Sequence, residues 1–134
     1  MTRDKGCGEG EAFVRTCLVV DDSRVVRKVA RRLLEDRGFA VAEAADGVEG
    51  LAWCRAMMPD LVLLEASMPL MSGLEFLRRL RLEPGGRAPK VIFCSAEANL
   101  DRIREALDAG AAEYIIKPFD GDIVADKLAL AGVA

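Results

Sequence analysis

A chain of 134 residues, 51% of them apolar and with a net charge of −3, is sized for one domain around one core and has no global pull toward nucleic acid. No apolar run approaches the roughly 20 residues needed to cross a bilayer, and the opening MTRDKGCGEGEAF lacks the apolar centre of a signal peptide, so a cytoplasmic protein is expected. The absence of histidine excludes Ser-His and Cys-His nucleophile pairs, histidine zinc sites and a phosphorylatable imidazole; any chemistry must rest on carboxylates, lysine and hydroxyls.

A Gly-rich, polar leader, residues 1–14, is expected to be flexible and to precede one domain over 15–134. TCLVV (Thr16 to Val20) has the continuous apolar character of a buried parallel strand. SRVVRKVARRLLEDRG follows as a helix, with Ser23 as N-cap and Gly38 as its stop. At 100° per residue Val25, Val26, Val29, Ala30 and Leu33 fall on one side, predicted to pack, and Arg24, Arg27, Lys28, Arg31 and Arg32 on the other. FAVAEA (Phe39 to Ala44) predicts a second strand, Asp46 to about Met58 a second helix, and LVLLE a third strand. A third helix starts near Gly73, and EPGGRAP is a loop. KVIFC (Lys90 to Cys94), NLDRIREALDAG, EYIIK and a last helix from Asp120 to about Leu130 complete five strands and five helices. Cys7, Cys17, Cys54 and Cys94 form no C-x-x-C pair and are expected to be reduced thiols, with Cys7 exposed.

A strict strand-helix repeat implies an α/β fold, with parallel strands joined by right-handed crossovers and helices on both faces of one sheet. Ligands of such sheets bind outside the carboxyl ends of the strands. Those ends carry Asp21-Asp22, Glu65, Ser95 and Lys117-Pro118. Three carboxylates brought together repel one another unless a cation sits among them, and hard oxygen donors suit Mg²⁺. Lys117 adds a point charge, and its bond to Pro118 is a candidate cis peptide. Together, a metal, a lysine and the Ser95 hydroxyl can hold a phosphoryl group. Plainer roles stay open for each residue: Asp21-Asp22 as a capping pair, Ser95 as a loop hydroxyl, Tyr114 as a half-buried aromatic, and Glu65 as a structural partner of Lys117.

At LVVDDS, DLVLLE followed by MPLMSG, CSA and YIIKPF the chain resembles the receiver domains of bacterial response regulators, in particular the single-domain, CheY-like type. The resemblance covers about Thr16 to Leu130, and VVDDSRVVRKVARRLLEDRGF and KPFDGDIVADKL are similar to its chemotaxis-type branch. It implies a flavodoxin-like (βα)5 sandwich of strand order 2-1-3-4-5. It also implies Mg²⁺ held by Asp21, Asp22, the acceptor position and the main-chain carbonyl of Ser67, with Ser95 and Lys117 contacting the phosphoryl group. Tyr114 matches the aromatic whose ring turns inward on activation. Glu65 stands where the family has its phosphorylated aspartate.

Glutamate is one methylene longer than aspartate, so its carboxylate reaches toward the space a phosphoryl group would fill, and in-line attack tolerates little displacement. Phosphorylation is therefore expected to be weak or absent, and Mg²⁺ binding weakened. Phosphate mimicry is limited by charge, because a phosphoryl group adds about −1.5 to −2 and the exchange of Asp for Glu adds none. The expectation is an atypical response regulator that is not an enzyme beyond weak self-phosphorylation and dephosphorylation. With no output domain after Leu130, it would act on a protein partner through its fourth helix, fifth strand and fifth helix, and not on DNA. Two alternatives remain: a regulator that accepts phosphoryl on Glu65 with Mg²⁺, and an adaptor whose Arg27 and Arg31 help bind a cyclic dinucleotide. The basic first helix is a solvated face or a docking face, and in the resembled family it commonly faces the histidine kinase or phosphotransfer protein.

Overall fold

The computed structural model describes residues 14–133. The readings of a flexible leader and of an exposed Cys7 thus lie, Val14 apart, outside the described residues. The ten elements follow in strict alternation: β1 (Thr16–Val20), α1 (Arg24–Glu35), β2 (Ala40–Ala44), α2 (Gly47–Ala56), β3 (Leu61–Glu65), α3 (Gly73–Leu82), β4 (Lys90–Ser95), α4 (Leu100–Asp108), β5 (Glu113–Ile116) and α5 (Gly121–Ala131). All four pairings are parallel, and the order is β2-β1-β3-β4-β5. This is the flavodoxin-like order of the expectation, with β2 and β5 at the two edges.

The strands form where the apolar runs were continuous because both faces of the sheet are covered. Leu18, Val20, Val62, Leu64 and Phe93 pack with Leu51 of α2, Phe76 and Leu77 of α3 and Ala106 of α4. Cys17, Val19, Leu63, Ile92 and Ile115 point the other way, onto Ala30 and Leu34 of α1 and Val124 and Leu128 of α5. Period-two alternation within each strand feeds two cores from one sheet. Cys17, Cys54 and Cys94 are buried free thiols within these layers, and burial pushes the Cys54 thiol up to about 11.

Each helix opens on a side chain that satisfies its first amides: Ser23, Asp46, Ser72, Asn99 and Asp120 accept from the following turn. Gly38 and Gly110 take positive φ of 92° and 109° just past α1 and α4, where a side chain would be strained.

One expectation for α1 needs correction. Val25 and Val29 are 72% and 45% exposed, whereas Leu34, outside the predicted face, is 1% exposed. The helix docks along a narrower stripe centred on Ala30 and Leu34, so two of the five predicted packing residues turn to solvent. The basic side is divided too: Arg24 and Arg32 are exposed, while Arg27 and Arg31 are half-buried against β2. Gly73 is required by a close approach of backbone to backbone. A Cβ there would lie 2.6 Å from the carbonyl of Glu65 and 3.0 Å from Cα of Ala66, so the start of α3 packs against the end of β3 too closely for any side chain. Among the described residues, no helix is long and apolar enough to cross a membrane.

Candidate functional site at the carboxyl ends of the strands

Three of the predicted residues meet in one buried cluster. Asp21, immediately after β1, is 2% exposed, and Glu65, the last residue of β3, is 7% exposed. Lys117 follows β5 and reaches back between them: its ammonium lies 2.9 Å from Oδ2 of Asp21 and also donates to Oε1 of Glu65. The second oxygen of each acid is engaged as well. Oδ1 of Asp21 accepts from the amide of Ser23 at 2.9 Å, and Oε2 of Glu65 accepts from the amide of Ser67 at 2.9 Å. Burial alone would push the Lys117 ammonium down, but its hydrogen bonds to Glu65 and Asp21 and their negative charge outweigh that and hold it above the ordinary lysine value.

The local sequence explains how these groups come to face one another. Parallel pairing sets β1, β3 and β4 side by side, with Val20 opposite Leu64 and Glu65 opposite Cys94, so Asp21 and Glu65 emerge at the same level of the rim. The Lys117–Pro118 peptide is cis, as the sequence suggested, and the Lys117 amide donates to the carbonyl of Ser95 at 2.8 Å. The capping reading of Asp21 also holds in part, since it ties down the amide of Ser23 while Ser23 itself caps α1.

Other predicted members stand apart. Asp22 is exposed and outside the pairing. Ser95 is 3% exposed, and its hydroxyl accepts from the amide of Glu97 at 3.1 Å, which shapes the turn into α4. Tyr114 is 6% exposed, and its ring lies nearly parallel to that of Phe93, centroids 6.2 Å apart and planes at 15°. The ring is thus fully inward rather than half-buried. The amide of Ser67 is turned to Glu65.

These positions match known proteins along most of the chain. The response regulator receiver domain family model covers residues 17–129. The chain belongs to the response-regulator receiver domains. Such domains interact with kinases and partner proteins and generally bind Mg²⁺. The transcriptional regulatory protein CseB of Streptomyces coelicolor is 38% identical over 111 residues, which are 83% of this chain and 46% of that protein. The chain therefore spans about half the length of that relative. The chemotaxis protein CheY of Pseudomonas aeruginosa is 35% identical over 112 residues, 83% of this chain and 90% of the other. Among solved structures, chemotaxis protein CheY4 of Vibrio cholerae superposes with a TM-score of 0.82 at 28% identity, covering 87% of this chain and 97% of that one. A CheY-like receiver domain protein of Methanospirillum hungatei gives 0.77 at 32% identity, covering 87% and 91%.

Against that family background the donor set of this receiver does not make a ready Mg²⁺ site. Among the described residues, no group of three or more Cys, Asp or Glu side chains is placed to share one ion. The Lys117 ammonium bridges Asp21 and Glu65 and already supplies a positive charge to both carboxylates.

A second cluster was missed by sequence reasoning. Glu43, in the edge strand β2, is only 12% exposed in its side chain and pairs with Arg27 at 3.1 Å, Lys28 at 3.1 Å and Arg31 at 2.7 Å. Burial pushes its carboxyl upward, but the hydrogen bonds from Arg31, Lys28 and Arg27 prevail and hold it below the usual carboxylate range. The signal was present: a lone acid inside FAVAEA, next in the chain to a helix with five basic residues.

Proposed function

We propose that this receiver regulates by binding a protein partner and is set by its own ion cluster rather than by phosphorylation. The observation that carries the reading is the Lys117 ammonium bridging Glu65 and Asp21 while the amide of Ser67 occupies the second oxygen of Glu65. A nucleophilic carboxylate needs a free lone pair in line with the phosphodonor. Each oxygen of Glu65 accepts one bond and keeps a lone pair, so the reading rests on placement: the carboxylate is drawn to Lys117 and the Ser67 amide rather than aimed at an incoming donor, and the excess charge of the rim is negative. The buried Tyr114 supports a resting state that resembles the inward, activated arrangement, with a partner that prefers this state completing the shift. The expected docking surface is the face made by α4, β5 and α5, where Leu100 and Leu107 are exposed. A histidine kinase or phosphotransfer protein at α1 is the family alternative.

Incubation with Mg²⁺ and acetyl phosphate, followed by intact-mass measurement, tests the reading. No adduct is expected on the parent protein, and Glu65→Asp should gain a labile one by withdrawing the carboxylate from Lys117. A phosphoryl adduct on Glu65 itself would establish the competing, phosphoryl-accepting regulator. Titration with a cyclic dinucleotide, with and without Arg27→Ala and Arg31→Ala, tests the remaining alternative; no binding removes it.

A further inference from the structure

Among the described residues β2 is an edge strand with no neighbour on its outer side, and its surroundings are chemically two-sided. The amide of Ala40 donates to the carbonyl of Arg15, and the carbonyl of Ala44 accepts from the amide of Asp21. Residues 40, 42 and 44 thus turn their main-chain groups inward to β1, and the parallel alternation turns those of Val41 and Glu43 outward. The strand contains no lysine, proline or bulge of the kind that blunts exposed edges.

The two walls flanking this edge differ sharply. On the side of α2, an apolar cleft of about 140 Å³ is lined by Val41, Ala42, Trp53, Met57 and Pro59, with Trp53 42% and Met57 62% exposed. Toward α1, the adjoining depression is lined by Arg27, Lys28 and Arg31 around Glu43, and Trp53 borders it as well. Two carboxylates, Glu43 and Glu49, against Arg27, Lys28 and Arg31 leave this wall with one positive charge in excess although the whole chain is at −3, and Arg31 also pairs with Glu35 at the end of α1. Arg24 and Arg32, both exposed, extend the basic side of the helix.

We propose that the β2 edge takes up an extended acidic segment of a partner protein, which adds as a sixth strand. Its main chain pairs with the outward amides and carbonyls of Val41 and Glu43. Alternate side chains of an added strand must point to opposite faces of the sheet. Those turned toward α1 meet the three cations and should be Asp or Glu; those turned toward α2 meet Trp53 and Met57 and should be apolar. The recognised sequence is therefore an alternation of acidic and apolar residues, a pattern set by the two walls rather than by overall charge. The site lies on an edge remote from the face of α4, β5 and α5, and it is independent of whether Glu65 accepts a phosphoryl group.

Trp53 is the sole tryptophan of the chain, so its emission reports the site directly. A synthetic peptide of about eight residues alternating glutamate and leucine should change that emission saturably and slow hydrogen exchange at the amides of Val41 and Glu43. A peptide of the same composition with its glutamates and leucines in two blocks should do neither, and an alternating lysine-leucine peptide should not bind. Arg31→Glu is expected to weaken binding by about tenfold or more, as for a central interface charge. Val41→Pro removes one outward amide while leaving the ladder to β1 in place, and should abolish binding with an unchanged unfolding midpoint. Exchange protection in the parent protein gives the same answer should that variant fail to fold. Equal binding of the block peptide, or no protection at Val41 and Glu43, would overturn the proposal. So would protection of those amides by a concentration-dependent dimer, because the edge would then belong to a second copy of the chain.

Discussion

Two ion clusters flank the same sheet, and they are built with opposite remainders. At the rim, two buried carboxylates, Asp21 and Glu65, share one ammonium. At the β2 edge, one partly buried carboxylate, Glu43, is shared by three cations. Both bury an acid with a ready partner, which is how buried charge is tolerated. They differ in what is left over: the rim keeps a formal charge of −1, and the depression at the edge, counting Glu49 with Glu43 against three cations, keeps one of +1. At the rim the Lys117 ammonium is committed to Asp21 and Glu65, while the excess positive charge stands at the edge.

The strongest way to break that contrast is to remove the ammonium of the rim. Lys117→Met leaves two acids facing each other in a site where both are nearly excluded from water. Breaking a buried pair by deleting one partner costs about 3–5 kcal/mol, and because Lys117 retains some solvent contact a loss of about 2–3 kcal/mol is expected. Urea denaturation at pH 7 measures it. Adding Glu65→Gln should return part of the loss by removing one of the stranded charges. If Lys117→Met is neutral at pH 7, the rim cluster is not the closed structural unit proposed here. The pH dependence carries the same information. The Lys117 ammonium is held above its ordinary value of about 10.4, so its contribution is complete below that pH and fades as pH rises through the folded value. The difference between parent and Lys117→Met should therefore be constant near neutrality and shrink only in strong alkali.

The edge cluster should respond with the opposite pH sense and a smaller amplitude. Glu43→Gln removes the carboxylate and leaves three cations that can still turn partly to solvent, so about 1–2 kcal/mol is expected. The Glu43 carboxyl is held below its ordinary value, so this stability is present above about pH 4.3 and is lost as pH falls through the folded value. Parent and variant should converge in acid, the reverse of the Lys117 pair. The substitution also makes the edge more positive, so it should tighten binding of an acidic strand while leaving the rim untouched. A fall in affinity would mean that Glu43 positions the arginines and does not merely neutralise them.

Much of this contrast was legible in the sequence, and the remainder was hidden for identifiable reasons. The alternation of apolar runs and amphipathic stretches set all ten elements to within about two residues, because buried parallel strands and capped helices have strong local signatures. The strand-end rule located Asp21, Glu65 and Lys117 together. It could not say that Asp22 stays outside or that the Ser95 hydroxyl is spent on the Glu97 amide, since both depend on side-chain direction at single residues. Helical periodicity misplaced Val25 and Val29 because a moment reports a face, not its width, and α1 is held to the sheet by Ala30 and Leu34. Glu43 was passed over for a different reason: its signal, a lone acid in a strand beside a basic helix, is read only across two elements. Its partners come from a neighbouring element, and no spacing within β2 reveals them.

The smallest effect belongs to the most exposed member of the edge cluster. Lys28 pairs with Glu43 at 3.1 Å but is 58% exposed, whereas Arg31 pairs at 2.7 Å and is 34% exposed. An exposed ion pair contributes a few tenths of a kcal/mol, because water screens the attraction and the long side chain loses freedom in holding one geometry. Lys28→Gln should therefore change stability by less than about 0.5 kcal/mol, and that small difference should vanish in molar salt. Arg31→Gln, which also removes a bond to Glu35, should cost more and keep part of its cost in salt, since burial shields the Glu43 pair from counter-ions. Equal effects of the two substitutions would mean that Glu43 responds only to the summed charge of α1. The ordering Arg31 above Lys28 would show instead that the edge cluster is a packed structure with a buried centre, as the rim is around Lys117.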